Sequence, residues 1–172
     1  MPFTPLHMGP GLLIKALLQG CFSLIIFGWA QLLMDIQPLL VIITGKGHMH
    51  GFSHTYTGAT LIAIISAWSG KWVYSLIMKF ISNDFTMYQK QLFAVPKKLT
   101  TIVCITSALI GTYSHVVLDS IMHADVEPFY PVNTDNHLYS ILSIVELYKL
   151  CIYSGFIGML IFFAVRLYHL KK

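Results

Sequence analysis

Long apolar runs alternate along the chain with short polar connections. After the first run, apolar stretches cover 53–72, with an extension along the membrane interface to about residue 80, then 98–122 and 138–168. About 20 apolar residues cross the hydrocarbon core of a bilayer as one helix. The pattern therefore predicts an all-α chain, a polytopic bundle of membrane helices with about four spans.

The first apolar run, 11–43, is too long for one straight helix. It is interrupted by two glycines and a proline, Gly20, Gly28 and Pro38. Because proline breaks the interior of a helix, we expect two shorter helices over 10–19 and 21–35, a broken helical hairpin that need not cross fully. A hairpin returns His7 and Asp35 to the same side of the membrane, whereas one crossing helix would separate them.

The composition indicates a membrane protein with a single domain over 1–172. Hydrophobic residues make up 56% of the chain and charged residues 10%, whereas a soluble domain carries about 25% charged residues. The net charge of +4 does not come from a basic stripe interleaved with aromatic residues, so nucleic acid is not an expected partner. The three cysteines lie far apart inside apolar runs, which favours small buried residues over a disulfide or a thiolate metal site.

The lysines predict the orientation, because cytoplasmic loops are enriched in Lys and Arg. The 79–98 connection holds four lysines against one aspartate, and the C-terminal end is also basic. The 121–138 loop holds three acidic residues and no Lys or Arg. We therefore expect the 79–98 loop and the C-terminus to face the cytoplasm, with the histidine-rich segment on the outer face of the cell (inner) membrane.

Nine ionisable side chains fall on that outer side, within reach of the bilayer. Each is costly in hydrocarbon unless it is paired or bound to a cation. They come from five separate segments: His7, Asp35, His48, His50, His54, His115, Asp119, His123 and Glu146. Their convergence at one depth predicts a buried polar site.

Two pairs in this set have helical spacing. His115 and Asp119 are four residues apart, so a helix places them on one face; they can hold a metal or simply hydrogen-bond to each other. His50 and His54 repeat the spacing in HGFSH, a familiar zinc arrangement. The alternative for this second pair is a polar loop with solvated histidines.

Two carboxylates complete the set. Asp35 closes an apolar helix just before Pro38, where the helix dipole disfavours an anion, so a bound cation would explain its presence. The alternative is an ordinary interfacial aspartate. Glu146 falls inside the predicted fourth helix and is the candidate general base, although Lys149 three residues on can pair with it.

Together these residues offer imidazole and carboxylate ligands without thiolate. Such a set suits Zn²⁺ first and Mn²⁺ second, and it argues against Cu(I). The predicted metal ligands are His7, Asp35, His50, His54, His115 and Asp119. Because more than four candidates are present, the site can hold one divalent ion or more.

The same motifs resemble a known family, the LexA-regulated, membrane-bound metal-dependent hydrolases of bacteria and archaea. The motifs are TPLH, MDIQP, HGFSHT, HVVLDS, ADVEPFYPV and SIVELY, and they span nearly the whole chain. The resemblance implies a small multi-helix membrane protein with metal-dependent hydrolase activity. The order of the His and Asp motifs is also similar, more weakly, to the helical zinc phospholipase C group. Many relatives read His-Arg-Gly-Phe-Thr-His where this chain has Met49 and His50, and Gln37 stands where some carry Glu.

We therefore predict a membrane-bound hydrolase in which a metal-activated water attacks an ester or phosphodiester and Glu146 takes the proton. A site at the lipid–water boundary indicates a lipid or lipid-linked substrate. One alternative is a non-enzymatic metal-binding membrane protein, a transporter or sensor. The lower halves of the third and fourth predicted helices hold no ladder of ionisable groups, which disfavours a conduit. Another alternative is a structural bundle whose polar groups hold helices together, and the pattern predicts no oligomeric state.

Overall fold

The architecture is all-helical within the residues that the structure describes. The computed structural model describes residues 4–81, 85–95 and 99–171. Its α-helices there are α1 (Thr4–Leu18), α2 (Leu24–Met34), α3 (Ile36–Thr44), α4 (Tyr56–Ile81), α5 (Met87–Leu92), α6 (Thr101–Met122) and α7 (Ile144–Leu170). Short 3₁₀ turns lie at Gln19–Cys21 and Phe52–His54. The predicted all-α fold class is confirmed.

Four helical segments are long and apolar enough to cross a membrane, as predicted. They are Leu24–Thr44, Tyr56–Ile81, Thr101–Met122 and Ile144–Leu170. By helix length and composition the chain is therefore a multi-pass membrane protein. The 15-residue α1 is an additional, shorter helix that packs along α7.

The first apolar region folds as a hairpin with bounds that differ from the prediction. α1 begins at Thr4 rather than at residue 10, and the chain turns back through the 3₁₀ turn that contains Gly20. A Cβ added at Gly11 would meet the Phe27 ring, so α1 and α2 lie side by side. The turn between them makes the two helices run in opposite directions. Ser23 starts α2, because its side chain accepts a hydrogen bond from the Ile26 N–H.

The predicted end of the second helix near residue 35 is confirmed, because α2 ends at Met34, but a further helix that was not predicted, α3, follows directly. Asp35 separates α2 from α3, and the chain remains helical to Thr44. Pro38 does not stop the helix, because it is the third residue of α3 and the first turn of a helix tolerates proline. The two helices together are long enough to cross the membrane.

Two later helices begin after their predicted starts. α4 begins at Tyr56 rather than residue 53, because residues 52–54 form the 3₁₀ turn. α7 begins at Ile144 rather than residue 138, because Ser143 and Glu146 form a capping box there. α6 lies within the predicted 98–122, and the short α5 in the cationic connection was not predicted.

Helices α2, α4 and α6 form the core of the bundle. The side chains at their contacts are mostly small: Ile26, Ala30, Ala63, Ala67, Cys104 and Ala108. Lipid tails are as apolar as the helix side chains, so the hydrophobic effect does not drive membrane helices together. Small residues instead let the helices approach closely and pack. A Cβ at Gly111 would lie 2.9 Å from the Phe27 carbonyl oxygen, so α6 and α2 are nearly in backbone contact.

Close approach also fixes α1 against α7. A Cβ added at Gly9 would overlap the Cys151 carbonyl, and one added at Gly158 would overlap the backbone of Leu13. Glycine is required at these contacts because any side chain would push the two helices apart.

The starts of α1, α4 and α7 and the ends of α2 and α6 meet at one end of the bundle. Leu6, Leu118 and Leu147 pack together there. The loop after α6 folds over the start of α4, where the Tyr56 N–H donates to the Pro128 carbonyl at 2.8 Å. Residues from distant parts of the sequence are thereby gathered at this end.

Candidate metal centre

Four separate segments supply the predicted ligands. His7 lies in the first turns of α1, Asp35 lies between α2 and α3, and His54 ends the 3₁₀ turn before α4. His115 and Asp119 lie one turn apart on α6 and face the same way, as their spacing predicted. The structure thus gathers these five residues at one end of the bundle.

Asp119 is at the middle of the cluster and is fully buried. Its Oδ2 lies 3.1 Å from His54 Nε2 and 3.2 Å from His115 Nε2. Its Oδ1 lies 3.8 Å from His7 Nε2. The two carboxylate oxygens therefore face different histidines.

Asp35 closes the group from the side of α2. Its Oδ1 lies 3.3 Å from His115 Nε2. One donor atom each from Asp35, His54, His115 and Asp119 lies within 4.8 Å of the other three. These four residues could together hold a metal ion.

The inward-facing atoms are not satisfied by hydrogen bonds within the described residues. His54 Nε2, His115 Nε2 and both oxygens of Asp119 are buried and make no aligned hydrogen bond. Burying such groups unpaired is costly. Ligands about 2.0–2.1 Å from a tetrahedral zinc lie roughly 3.3 Å apart, close to the 3.1–3.3 Å separations seen here. A shared cation would satisfy all of these atoms.

The outward nitrogens of the histidines are held by other oxygens. His115 Nδ1 donates to Gln31 Oε1 at 2.6 Å, and His54 Nδ1 shares a hydrogen bond with Ser53 Oγ at 2.9 Å. A hydrogen bond at Nδ1 fixes the ring and leaves Nε2 for a metal, the usual arrangement of metal-binding histidines.

A second group adjoins the first. His50, His123 and Asp125 each offer a ligand atom within 4.8 Å of the others. The ring centroids of His50 and His54 are 5.0 Å apart, so the two groups are neighbours. A pocket of about 420 Å³ opens beside this group. It is lined by Gln37, His48, His50, Asp125, Glu127 and Tyr130, among others.

Burial favours the neutral imidazole of His54 in the first group and of His123 in the second. Burial lowers the pKa of His54, although the Asp119 carboxylate opposes this. Burial, followed by the nearby His50, lowers the pKa of His123. Only the neutral ring binds a metal, so burial favours the ligating form of these two histidines.

Three residues of the predicted set are not among the central four, and one of them, His7, still lies beside Asp119. His50 is buried, but it does not share a helix with His54, and it belongs to the second group. Glu146 is exposed at the third position of α7. Its carboxylate accepts hydrogen bonds from the Ser143 backbone at 2.9 Å and from the Ser143 hydroxyl at 2.8 Å.

Sequence reasoning did not assign three residues that the structure places around the cluster. His123 was recognised as ionisable but not as a ligand, and Asp125 was counted only in an acidic loop. Gln31 carried a readable signal: it is a polar residue in an apolar helix, four positions before Asp35 and therefore on the same face. His123 and Asp125 come together with His50 only through the loop after α6, which no spacing reveals.

No protein-family model matches the chain, and neither a curated protein nor a solved structure is significantly similar to it. The resemblance to the LexA-regulated hydrolases thus stays an expectation from motifs, and the geometry above is the basis for assigning a function.

Proposed function

We propose that the protein is a membrane-bound, metal-dependent hydrolase. The observation that carries the proposal is the meeting of Asp35, His54, His115 and Asp119 within 4.8 Å. The Nε2 atoms of His54 and His115 and both carboxylate oxygens of Asp119 are buried, closely spaced and without a hydrogen bond among the described residues. A purely structural polar cluster would instead be expected to pair its buried groups.

The chain's own residues would hold and orient the ion. His54, His115, Asp35 and Asp119 would be ligands, and His7 would add a donor beside the second oxygen of Asp119. A divalent ion there, Zn²⁺ first and Mn²⁺ second by ligand type, would lower the pKa of a bound water and polarise an ester or phosphodiester oxygen. Gln31 and Ser53 would keep the two central rings turned inward.

A lipid or lipid-linked substrate fits the surroundings of the centre. The cluster lies at one end of membrane-length helices, and the polar pocket opens beside it. The loop over the pocket exposes Phe129, Tyr130 and Val132. Tyrosine is enriched at membrane–water interfaces, so the loop would lie where lipid headgroups are.

Metal content and hydrolysis of the detergent-purified chain test this proposal. We expect wild-type protein to retain at least one divalent ion per chain by elemental analysis. His115→Ala and Asp119→Ala should each lower that content, because each removes a central ligand. The matched control is His137→Ala, which removes an exposed histidine of the 121–138 loop.

Activity is then measured on a chromogenic phosphodiester and a chromogenic ester with added Zn²⁺ or Mn²⁺. We expect turnover in wild type and in the His137 control, with a loss of at least tenfold in the two ligand variants. Equal metal content in all four proteins would count against the centre itself. Metal loss in the variants without any turnover by wild type would favour the transporter or sensor.

A further inference from the structure

The second histidine group has the geometry of a binding site in its own right. His50 lies in the loop before the 3₁₀ turn, and His123 is the first residue after α6. Their rings stack with centroids 4.2 Å apart and planes inclined by 23°. An oxygen of Asp125 completes a set of three ligand atoms that lie within 4.8 Å of one another.

The Nε2 atoms of the two histidines are buried without hydrogen-bond partners among the described residues. His50 is 5% exposed. Both His50 Nε2 and His123 Nε2 are buried and make no hydrogen bond there. The two rings stack, so their Nε2 atoms lie close to each other. The two Nε2 atoms can therefore offer their lone pairs to one cation bound between them.

Asp125 orients His50. Its carboxylate oxygens lie 3.0 and 2.9 Å from His50 Nδ1, so Nδ1 carries the proton and Nε2 is left as a ligand. The Asp125 side chain is 57% exposed and lines the polar pocket, so the group can be reached from water.

We propose that His50, His123 and Asp125 form a second divalent-cation site at the mouth of the buried centre. His50 and His123 supply imidazole nitrogens, and Asp125 supplies a carboxylate oxygen or holds His50 in place. An ion there adds positive charge to the wall of the pocket. The second site does not depend on the hydrolase proposal, because it uses none of the four residues of the buried centre.

The number of ions per chain tests the second site. Detergent-purified full-length protein is stripped with a chelator, dialysed against Zn²⁺ at a series of free concentrations and analysed for bound metal. We expect wild type to bind two ions and His123→Gln to bind one. His137→Gln is the matched control, since it removes an exposed histidine of the same loop, and it should bind two ions.

Two further variants separate this proposal from the one on the buried centre. Asp119→Asn should lose the buried ion and keep the ion at the mouth. Asp125→Asn should weaken the ion at the mouth by roughly 10–100-fold and leave the buried ion unchanged. It also decides the question if His123→Gln fails to fold, as judged by size-exclusion chromatography.

The outcomes are distinguishable. One ion in wild type that Asp119→Asn removes, with no effect of His123→Gln or Asp125→Asn, would overturn the second site and leave the buried centre standing. One ion that survives Asp119→Asn but is lost in His123→Gln would support the second site while the hydrolase proposal fails. Equal stoichiometry in wild type, His123→Gln and Asp125→Asn would also overturn the second site.

Discussion

At the scale of single residues, Gln31 shows how a buried residue of the helix core orients a candidate metal ligand. It is fully buried in α2, and its Oε1 accepts the proton on His115 Nδ1 at 2.6 Å. Its amide nitrogen lies 3.5 Å from Ser114 Oγ. An amide in an apolar helix would be costly without such partners, so Gln31 links the packing of α2 and α6 to the tautomer of His115.

We therefore expect Gln31→Leu to lower metal affinity without abolishing binding. Leucine has a similar size but cannot accept the His115 proton, so the ring loses its preferred tautomer and orientation. The loss should be roughly 10–100-fold in dissociation constant, measured by competition with a chromophoric chelator. Gln91→Leu, a substitution of an exposed glutamine at the end of α5, is the control. An unchanged affinity in Gln31→Leu would show that the hydrogen bond does not tune the centre.

The residue scale also shows what spacing can and cannot predict. The contact between His115 and Asp119 follows from four-residue spacing on one helix, and the structure has it at 3.2 Å. Asp35 could be singled out because a carboxylate is unusual at the end of an apolar helix. The grouping of His50 with His123 depends on how two loops fold over each other, and neither loop has a periodic pattern.

At the scale of helices, polar signals at the ends decide the boundaries. The apolar run that predicts α7 extends back to residue 138, but the helix starts where Ser143 and Glu146 satisfy each other's backbone N–H groups. The S-x-x-E pattern marks the start of a helix in a sequence, so the start of α7 could have been predicted. Pro38 led to the opposite error, since no helix was predicted directly beyond residue 35. Proline breaks the interior of a helix but is tolerated in its first turn, where Pro38 lies.

The capping box gives Glu146 a role that can be separated from catalysis. We expect Ser143→Ala to lower the melting temperature, because losing an N-cap costs about 0.5–2 kcal/mol. Glu146→Gln should leave stability nearly unchanged, since glutamine also serves in a capping box. It should also leave hydrolysis unchanged, because the carboxylate is exposed and bonded to Ser143.

The two readouts distinguish the cap from a general base. Thermal unfolding of the purified variants reports the cap, and the pH dependence of turnover reports a base. If Glu146→Gln folds normally but loses turnover, the general-base role predicted from the sequence is correct. That result would require the start of α7 to move toward the cluster during the reaction.

At the scale of the whole molecule, the hairpin of α1 and α2 makes the centre possible. Because the chain reverses at the turn around Gly20, His7 and Asp35 come to the same end of the bundle, where His54 and His115 also lie. Composition alone predicts a membrane bundle, and the alternation of helices predicts which ends meet. The depth and spacing of the ligands come from glycine and alanine contacts between helices, which hydropathy does not encode.

The orientation of the bundle is the remaining whole-molecule prediction. The 79–98 connection carries four lysines. The acidic 121–138 loop lies beside the centre, since its Asp125 contacts His50 and its Pro128 carbonyl accepts from the Tyr56 N–H. Because cytoplasmic loops are enriched in Lys and Arg, we expect the centre to face outward and α5 to face the cytoplasm. Native cysteines are first replaced, and single cysteines are then placed at His48 and Lys90. In intact cells a membrane-impermeant maleimide should label position 48 but not position 90, and permeabilised cells should show both.

Labelling of position 90 in intact cells would show that the orientation is the reverse of the predicted one and that the centre lies at the cytoplasmic face. The geometry of the ligands would be unaffected, because it depends on helix contacts and not on which side they face. The substrate assignment would change, since the polar pocket would then open toward the inner leaflet and the cytoplasm. The topology experiment therefore determines which lipid pool is available to the protein, independently of whether the centre binds metal.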